Sequence, residues 1–205
     1  MEFSEIVQSR RSVKHYDPDH VISDAVLKEI FEEVRLSPSS FNLQHAVFIC
    51  AQDAETQKQL REAAWNQQQV EDCSAAIVVC ARLDAFQDAG AMWQTAPQEV
   101  QDFMIPNAIN FYEGKDQICR DEAIRSASLA AMTLMYSARA RGYDTGPMIG
   151  FDPQAVSRIV ELPRDCIPVM LVVLGKAKGE PKPRPYRRPV SEVVRKNSFK
   201  GPGLA

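Results

Sequence analysis

The sequence contains no apolar run long enough for a membrane helix. Its longest uninterrupted apolar stretch covers residues 167–174, whereas a membrane-spanning helix needs about 20 apolar residues. The first residues also lack the basic-then-apolar pattern of a secretory signal. We therefore expect a protein that neither spans a membrane nor is secreted, and that has no membrane partner.

Cysteine is scarce, and none of the five cysteines belongs to a C-x-x-C pair. An odd number of scattered thiols does not suit a disulfide framework, and a chain of 205 residues is large enough to fold without one. Because several of them lie in or beside apolar runs, we interpret them as buried, reduced thiols in a cytoplasmic protein. The five are Cys50, Cys73, Cys80, Cys119 and Cys166.

Several common catalytic and nucleotide-binding motifs are also missing. No Gly-rich turn follows the first buried apolar run, and no G-x-x-x-x-G-K-[ST] occurs, which argues against dinucleotide-binding and P-loop domains. His15, His20 and His45 are not at metal-ligand spacing, and G-x-S-x-G and H-E-x-x-H are absent. We therefore expect no metal site and no serine hydrolase. A cofactor that carries the chemistry would explain this poverty of catalytic motifs.

Positive charge is concentrated near the C-terminus. Residues 176–200 contain nine Lys or Arg and two Glu, whereas the whole chain has a net charge of −3. Prolines separate these charges and few aromatics accompany them, which favours a stiff, extended arm over a nucleic-acid site. The remaining composition is ordinary for a globular protein. We expect one domain over residues 1–205, with an arm over residues 176–205 and no nucleic-acid partner.

Hydrophobic periodicity predicts the regular elements. Residues 83–118 carry a weaker signal, because Pro97 and Pro106 should break any long helix, and we expect short helices there that cap a cleft. The order of the other elements, taken by itself, favours an alternating α/β fold. The pattern predicts helices over 2–9, from Ser23, over 54–69, over 120–141 and from Asp152, and strands over 46–51, 75–81 and 167–174.

Polar and glycine-rich clusters lie between these elements. Residues 10–14 combine three cations with a hydroxyl, a set that suits a phosphate but is also common at a helix end. Residues 38–44 and 66–69 offer hydroxyls and amides to a polar heterocycle, although ordinary loops have the same composition. Residues 142–152 contain three glycines that permit close approach of a ligand. Further positive charge for a phosphate would come from Arg184, Arg187 and Arg188.

In this order, the clusters resemble those of the FMN-dependent nitroreductase family, over about residues 3–199. The resemblance implies an α+β fold in place of the α/β alternation, with a mainly antiparallel sheet flanked by helices in a three-layer sandwich. It also implies a homodimer that exchanges C-terminal arms and holds FMN at the subunit interface. The most specific matches are Arg10-Arg11-Ser12-x-Lys14, Ser37-Pro38-Ser39-Ser40-x-Asn42-x-Gln44, the turn from Gly146 to Asp152, and Arg187-Arg188-Pro189-Val190-x-Glu192.

The resemblance also implies which residues bind FMN. The residues that would bind the ribityl phosphate are Arg10, Arg11, Ser12, Arg187 and Arg188. The residues that would face the flavin pyrimidine are Lys14, Asn66, Gln67 and Gln69. The residues that would reach the cofactor from the second subunit are Pro38, Ser39, Ser40 and Asn42. The residues that would lie near flavin N5 are Pro147, Ile149 and Gly150, with a backbone N–H of Ile149 or Gly150 pointing at that atom.

Four residues depart from the family pattern. Many relatives have Lys where Gln69 stands, and relatives often have an acidic residue where Ile149 stands. A backbone contact to N5 survives the second change, whereas any role of an acidic side chain does not. The pair His45-Ala46 replaces a Pro-aromatic pair that is frequent in the family.

The activity implied by the resemblance is ping-pong hydride transfer through flavin N5. NAD(P)H donates the hydride, and a small planar acceptor such as a nitroaromatic or a quinone is then reduced in the same slot, without a catalytic side chain. Candidate stacking partners for that acceptor are Trp93, Phe103 and Phe111, although aromatics among helices more often serve packing. Alternatives on the same fold are an enone reductase, a reductive dehalogenase, a flavin-processing enzyme, or a flavin-binding regulatory or storage protein without useful turnover.

Overall fold

A four-stranded sheet organises the chain, and the computed structural model describes residues 1–204 of it. The strand order is β1-β2-β4-β3, and every neighbouring pair is antiparallel. The predicted α/β alternation is therefore wrong and the α+β fold is confirmed. The order of apolar runs along the sequence does not determine whether neighbouring strands are parallel or antiparallel. The strands are β1 (Ala46–Ala51), β2 (Ala75–Arg82), β3 (Asp144–Met148) and β4 (Cys166–Gly175).

Helices cover both faces of this sheet. Within residues 1–204, none of them combines the length and the apolar character needed to cross a membrane. Short 3-10 turns cover Ser40–Asn42 and Ala85–Asp88. The α-helices are α1 (Phe3–Ser9), α2 (Asp24–Val34), α3 (Ala54–Ala63), α4 (Gln69–Asp72), α5 (Ala89–Trp93), α6 (Gln98–Tyr112), α7 (Asp116–Ala140), α8 (Pro153–Ile159) and α9 (Val190–Val193).

The central strand β2 supplies a core to each face. Successive side chains of a strand point to opposite sides, so Ile77 and Val79 pack with α2 and α7 while Val78 and Cys80 pack with α3 and α8. All residues from Ala75 to Ala81 are buried. Close approach of α7 to the sheet depends on its buried small residues, namely Ala123, Ala127, Ala130, Ala131 and Ala138.

Local signals set most of the helix ends. Ser23 caps α2 by accepting a hydrogen bond from the N–H of Val26, and Asp152 caps α8 by accepting from Gln154 and Ala155. The predicted helix starts at Ser23 and Asp152 are confirmed, since both side chains satisfy backbone donors of the first turn. The predicted helix over 54–69 ends earlier, at Ala63, because Trp65 and Asn66 both have left-handed φ angles, 56° and 57°.

Strand β3 was not predicted, and its composition explains why. It contains Gly146 and Pro147, which both disfavour strands. Proline is tolerated because β3 lies at the edge of the sheet, where one side of the strand needs no ladder hydrogen bonds. The segment between α7 and α8 is therefore part of the sheet rather than a simple loop.

Residues 83–118 form a helical layer of their own, in which α6 is longer than predicted. This helix continues through Pro106 for 15 residues. Pro106 is exposed, as is Asp102, whose carbonyl loses its helical partner, so water can replace the missing donor. The prediction that this proline breaks the helix is wrong, while Pro97 does stand immediately before the helix.

The chain leaves the sheet at Gly175 and continues as an arm. Beyond α9 the arm folds back on itself, with Arg195 paired to Gly203 and the N–H of Leu204 donating to the carbonyl of Val194. Several large apolar side chains of this arm are exposed, and Phe199 is 95% exposed. A single copy of the chain therefore leaves the apolar side chains of the arm uncovered.

Candidate cofactor site

The segment after α1 is fixed between β3 and the first residues of the arm. The N–H of Val13 donates to the carbonyl of Thr145 at 3.1 Å, and the N–H of Lys178 donates to the carbonyl of His15 at 2.9 Å. Gly146 permits this approach, since a Cβ there would lie 2.7 Å from the Val13 carbonyl oxygen. The predicted phosphate segment is thus held by backbone contacts at the edge of the sheet.

Arginine side chains gather at this segment. Arg184 Nη2 donates to the carbonyls of Val7, Gln8 and Arg10, and Arg11 Nη1 donates to the last two of these. Arg10 has a buried Nη1 without a partner. Partial burial lowers the pKa of Arg184, and repulsion by Arg11, Arg10 and Arg187 lowers it further. Four cations that repel one another, one with an orphaned donor, favour an anion at this point.

A small cleft extends the positive charge along the same segment. It has a volume of about 50 Å³ and is lined by Ser12, Lys14, Lys178 and Lys182 among others, with Glu180 as the only acidic residue of its lining. Arg188 is not brought into this group, because it lines a separate hollow at the tip of the arm with Glu192 and Phe199. Arg187 is part of the cluster, and its Nη1 donates to the carbonyls of Pro185 and Tyr186.

The predicted pyrimidine-facing amides form a chain of hydrogen bonds. Gln69 Nε2 donates to Gln67 Oε1 at 3.0 Å, and Gln67 Nε2 donates to the carbonyl oxygen of Gly150 at 3.0 Å. Gln69 is buried and also contacts the sulfur of Met148 at 3.5 Å. The chain therefore ties the start of α4 to the turn after β3. Ile149, in that turn, directs an 80% exposed side chain to solvent.

Trp65 is a residue of this site that sequence reasoning missed. It is 69% exposed and has a left-handed backbone, and a Cβ on Gly150 would lie 2.9 Å from its ring. A large exposed aromatic in a sparsely populated conformation often marks a functional site. The sequence signal was the tryptophan itself, immediately before Asn66.

The loop over residues 38–44 is hydrogen-bonded to the helical layer of residues 83–118 instead of to residues 10–14. Ser39 Oγ accepts from the N–H of Gln44 at 2.9 Å, and Ser40 Oγ accepts from the hydroxyl of Tyr112 at 2.7 Å. Phe41, Asn42 and Gln44 have left-handed backbones. No hydrogen bond found among residues 1–204 joins this loop to residues 10–14, so one chain does not bring the two predicted halves of the site together.

Aromatic side chains connect this loop to α6. The rings of Phe41 and Phe111 are 5.9 Å apart, and Tyr112 lies beneath them, 4.9 Å from Phe111. Trp93 Nε1 donates to the carbonyl of Phe41 at 3.0 Å. Of the three predicted stacking residues, Trp93 and Phe111 thus belong to one cluster with the loop. Phe103 stands apart from it and is 65% exposed.

A cavity of about 370 Å³ lies behind the loop, between α2, β1 and α7. Its apolar lining includes Phe31, Phe48 and Ala130. His45 also lines it, is 2% exposed, and has no partner for Nδ1. Burial lowers the pKa of His45, which keeps the ring neutral at pH 7.

None of the five thiols is among the residues predicted to bind the cofactor, although Cys119 packs with Phe41 and Tyr112 and its Sγ donates to the carbonyl of Tyr112 at 3.4 Å. All are free, and burial raises the pKa of Cys50 and of Cys73 to about 11 and that of Cys80 to about 12. Such thiols are inert as nucleophiles at neutral pH. Over the described part of the chain, no group of three or more His, Cys, Asp or Glu side chains is arranged to hold a metal ion.

The fold agrees with comparisons to known proteins. The model of the nitroreductase family matches residues 7–176, and the chain belongs to this family. The Bacillus subtilis protein MhqN, named for an inferred NAD(P)H nitroreductase activity, is 40% identical over 201 residues, which cover 94% of this chain and 98% of MhqN.

A second relative is known with its cofactor. A nitroreductase-type protein from Exiguobacterium sibiricum, solved in complex with FMN, superposes with a TM-score of 0.88 at 34% identity, over 95% of this chain and 96% of its own. A more distant relative is an enone reductase from Lactiplantibacillus plantarum, 25% identical over 190 residues, with 88% of each chain covered.

Proposed function

We propose that this protein is an FMN-dependent NAD(P)H oxidoreductase that reduces nitroaromatics, quinones or similar electron-poor acceptors. The observation that carries the proposal is the arginine cluster at residues 10–11 and 184–187, with its unpartnered buried Nη1 on Arg10. A dianionic phosphate at this point would relieve the repulsion and give that donor a partner. Family membership and the FMN complex of the Exiguobacterium relative support the same cofactor.

The second group of residues fits the polar edge of a flavin. Gln67 holds the carbonyl of Gly150, which fixes the orientation of the adjoining peptide groups and leaves the exposed side of the turn open. Lys14 would bring positive charge to the pyrimidine. Gln69 cannot add charge there, so Lys14 carries this role without the second cation that many relatives have.

FMN, when bound, would supply the redox chemistry, with N5 as the atom through which hydride would pass from NAD(P)H to the electron-poor substrate. The protein then has to bind the phosphate, orient the ring and keep one flat slot open. Tyr112, Phe111 and Phe41 form a rigid aromatic cluster next to the loop that we propose approaches the cofactor. Such a wall suits planar acceptors, since aromatic faces stack on one another.

We further propose a homodimer in which the site is completed by the second copy. Residues 38–42 lie with the cap in one chain, and the arm exposes Val193, Phe199 and other apolar side chains. Strand β1 has an open edge, and the apolar cavity of about 370 Å³ lies beside it. Exchange of arms would cover both the edge and the cavity, in line with the way proteins protect edge strands.

A cytoplasmic location is also proposed. All five cysteines are free, and the pKa values of Cys50, Cys73 and Cys80 are raised by burial. Free thiols persist in reducing compartments. Fractionation of the producing organism, followed by detection of the native protein, would test this location.

The decisive experiment is an anaerobic absorbance titration of the purified protein with NADH and, separately, with NADPH. We expect a yellow protein whose flavin absorbance is bleached by at least one donor and is restored by a quinone or a nitroaromatic. Arg10→Ala tests the role of this arginine in binding the phosphate of FMN. Its control is Arg164→Ala, which removes an exposed arginine away from the site.

Other outcomes of this titration would favour other functions. A flavin that is bleached but recovers only with an α,β-unsaturated ketone would indicate an enone reductase, the activity named for the Lactiplantibacillus relative. A flavin that no nicotinamide bleaches would indicate a binding protein without turnover. A colourless protein that takes up no added FMN would contradict the proposed function.

A further inference from the structure

Arg184 makes contacts that are unexpected for a residue of an extended arm. Its Nη2 donates to the carbonyl oxygens of Val7, Gln8 and Arg10 at 3.0, 3.3 and 2.8 Å. These carbonyls lie at the C-terminal end of α1, where the helix itself offers no donors. The arm therefore caps the helix that leads directly into the phosphate segment.

Arg11 shares two of these three acceptors. Its Nη1 donates to the carbonyls of Gln8, at 2.5 Å, and Arg10, at 3.0 Å. A carbonyl oxygen has two lone pairs and accepts two donors, so both contacts coexist. The consequence is redundancy: with Arg184 in place, the carbonyls of Gln8 and Arg10 keep a donor when Arg11 turns away.

We propose that Arg184 is a positioning residue that frees Arg11 to bind a phosphate. This inference rests on the proposed function, in which Arg11 is a phosphate ligand. When Arg11 leaves the two carbonyls for a phosphate, Arg184 still satisfies them, and no helix cap is lost. Without Arg184, a phosphate contact of Arg11 leaves the part-buried carbonyl of Arg10 without a donor, which is costly for such a backbone group. The carbonyl of Gln8 is exposed, so water can replace its donor.

The proposal predicts an effect on the phosphate alone. Riboflavin has the same ring system as FMN and no phosphate, so its affinity does not depend on Arg11. Arg184→Ala should weaken the affinity for FMN about tenfold, the size expected for one hydrogen bond to a charged group. The affinity for riboflavin should not change. Arg184→Lys, which keeps the charge but replaces the planar guanidinium by a compact ammonium, should fall between the wild type and Arg184→Ala.

The experiment is a double-mutant cycle read by quenching of flavin fluorescence. FMN and riboflavin affinities are measured for the wild type, Arg184→Ala, Arg11→Ala and the double variant, with Arg164→Ala as the charge-matched control. Because Arg184 acts through Arg11, its removal should cost no further FMN affinity in the Arg11→Ala background. Thermal melting of each protein shows that the variants remain folded.

Four results would overturn the proposal, and they are distinguishable. Losses of FMN affinity that add up in the double variant would show that Arg184 contacts the phosphate directly. Equal losses of FMN affinity and riboflavin affinity in Arg184→Ala would show that Arg184 has only a structural role. Unchanged FMN affinity in Arg184→Ala, with normal binding by the wild type, would refute this inference and leave the proposed function intact. Failure of the wild type to bind either flavin would refute both.

Discussion

Two glycines near the candidate site differ in what surrounds them. A Cβ added at Gly146 would lie 2.7 Å from the carbonyl oxygen of Val13, which belongs to the backbone and cannot turn aside. A Cβ at Gly150 would lie 2.9 Å from the ring of Trp65, whose exposed side chain has room to rotate. At the scale of single residues, the first glycine is required by the fold and the second by the shape of the site.

We predict that Gly146→Ala lowers the free energy of unfolding by about 2 kcal/mol, because β3 and the phosphate segment would have to separate. Gly150→Ala is expected to cost less than about 1 kcal/mol while lowering turnover, since displacement of Trp65 would change the open side of the slot. Urea unfolding of both variants measures the first effect and steady-state kinetics the second. Equal destabilisation by the two substitutions would contradict this distinction.

At the scale of elements, one hydrogen bond links the loop over residues 38–44 to α6. The hydroxyl of Tyr112 donates to Ser40 Oγ, while the ring of Tyr112 is stacked with Phe86 at 6.2 Å. A substitution that removes only the hydroxyl therefore breaks the hydrogen bond to Ser40 and keeps the packing of the ring. The left-handed backbones of the loop make it dependent on such links, because these conformations are costly for residues other than glycine.

Tyr112→Phe should cost about 1 kcal/mol of stability and raise KM for the acceptor more than it changes kcat, because the loop would lose one of its fixed positions. Tyr143→Phe, at a half-buried tyrosine whose hydroxyl has no hydrogen bond among those described, is the matched control. Stopped-flow reduction by nicotinamide and steady-state kinetics with a quinone separate the two half-reactions. An effect confined to the nicotinamide half-reaction would contradict this role of the loop.

Helices α2 and α7 are joined by Arg141, which donates to Glu33 at 2.8 Å and to Glu29 at 3.3 Å. The hydrogen bond from Arg141 lowers the pKa of Glu33. The resulting stabilisation is complete above the unfolded pKa of about 4.3 and is lost as the pH falls through the lower folded value. Because Glu33 is half exposed, the effect is only about 0.5 kcal/mol.

Glu33→Gln should therefore reduce stability by about 0.5 kcal/mol at pH 7 and by less at pH 3. Urea unfolding at the two pH values provides the measurement, with Glu113→Gln, an exposed glutamate without an ion pair among those described, as the control. A loss of the same size at both pH values would show that the carboxylate charge is not involved.

At the scale of the whole molecule, a single copy leaves two complementary features unsatisfied. The open edge of β1 and its neighbouring cavity lack a cover, and the arm carries Phe199 at 95% exposure. In an isolated chain, removal of such an exposed side chain would be neutral. In an arm-exchanged dimer the same side chain would be buried at the interface.

Phe199→Ala is accordingly expected to weaken dimerisation by about 2 kcal/mol or more and to lower FMN retention at low protein concentration. Lys200→Ala, at the neighbouring exposed position, should change neither. Analytical ultracentrifugation over a range of concentrations measures the dimer directly. A protein that sediments as a 23.0 kDa monomer with full FMN occupancy would contradict the shared site.

Features that depend on a few neighbouring residues could be predicted from the sequence. Ser23 and Asp152 are recognisable as caps, and the apolar runs of β1 and β2 are recognisable as buried strands. The antiparallel order and the existence of β3 could not be predicted in this way, because both depend on hydrogen bonds between distant segments. The resemblance to a family supplied the antiparallel sheet, which periodicity alone did not.

The candidate site divides in the same way. Gln67, Gln69 and Gly150 lie together in the structure, and Arg11 donates to two of the carbonyls that Arg184 also contacts. Trp65 was missed because an aromatic beside a polar cluster has no distinctive spacing. Arg188 and residues 38–42 do not join these clusters in one chain, so their assignment depends on a second copy that no single sequence describes.

The sheet order has a consequence for synthesis of the protein on the ribosome. Strand β2 pairs with β4, so the second edge of β2 has no partner strand until residues 166–175 have been synthesised. Contacts of such long sequence separation form slowly. A chain that stops short of β4 is therefore expected to need chaperones and to be degraded, which makes the last strand of the sheet a checkpoint for complete translation.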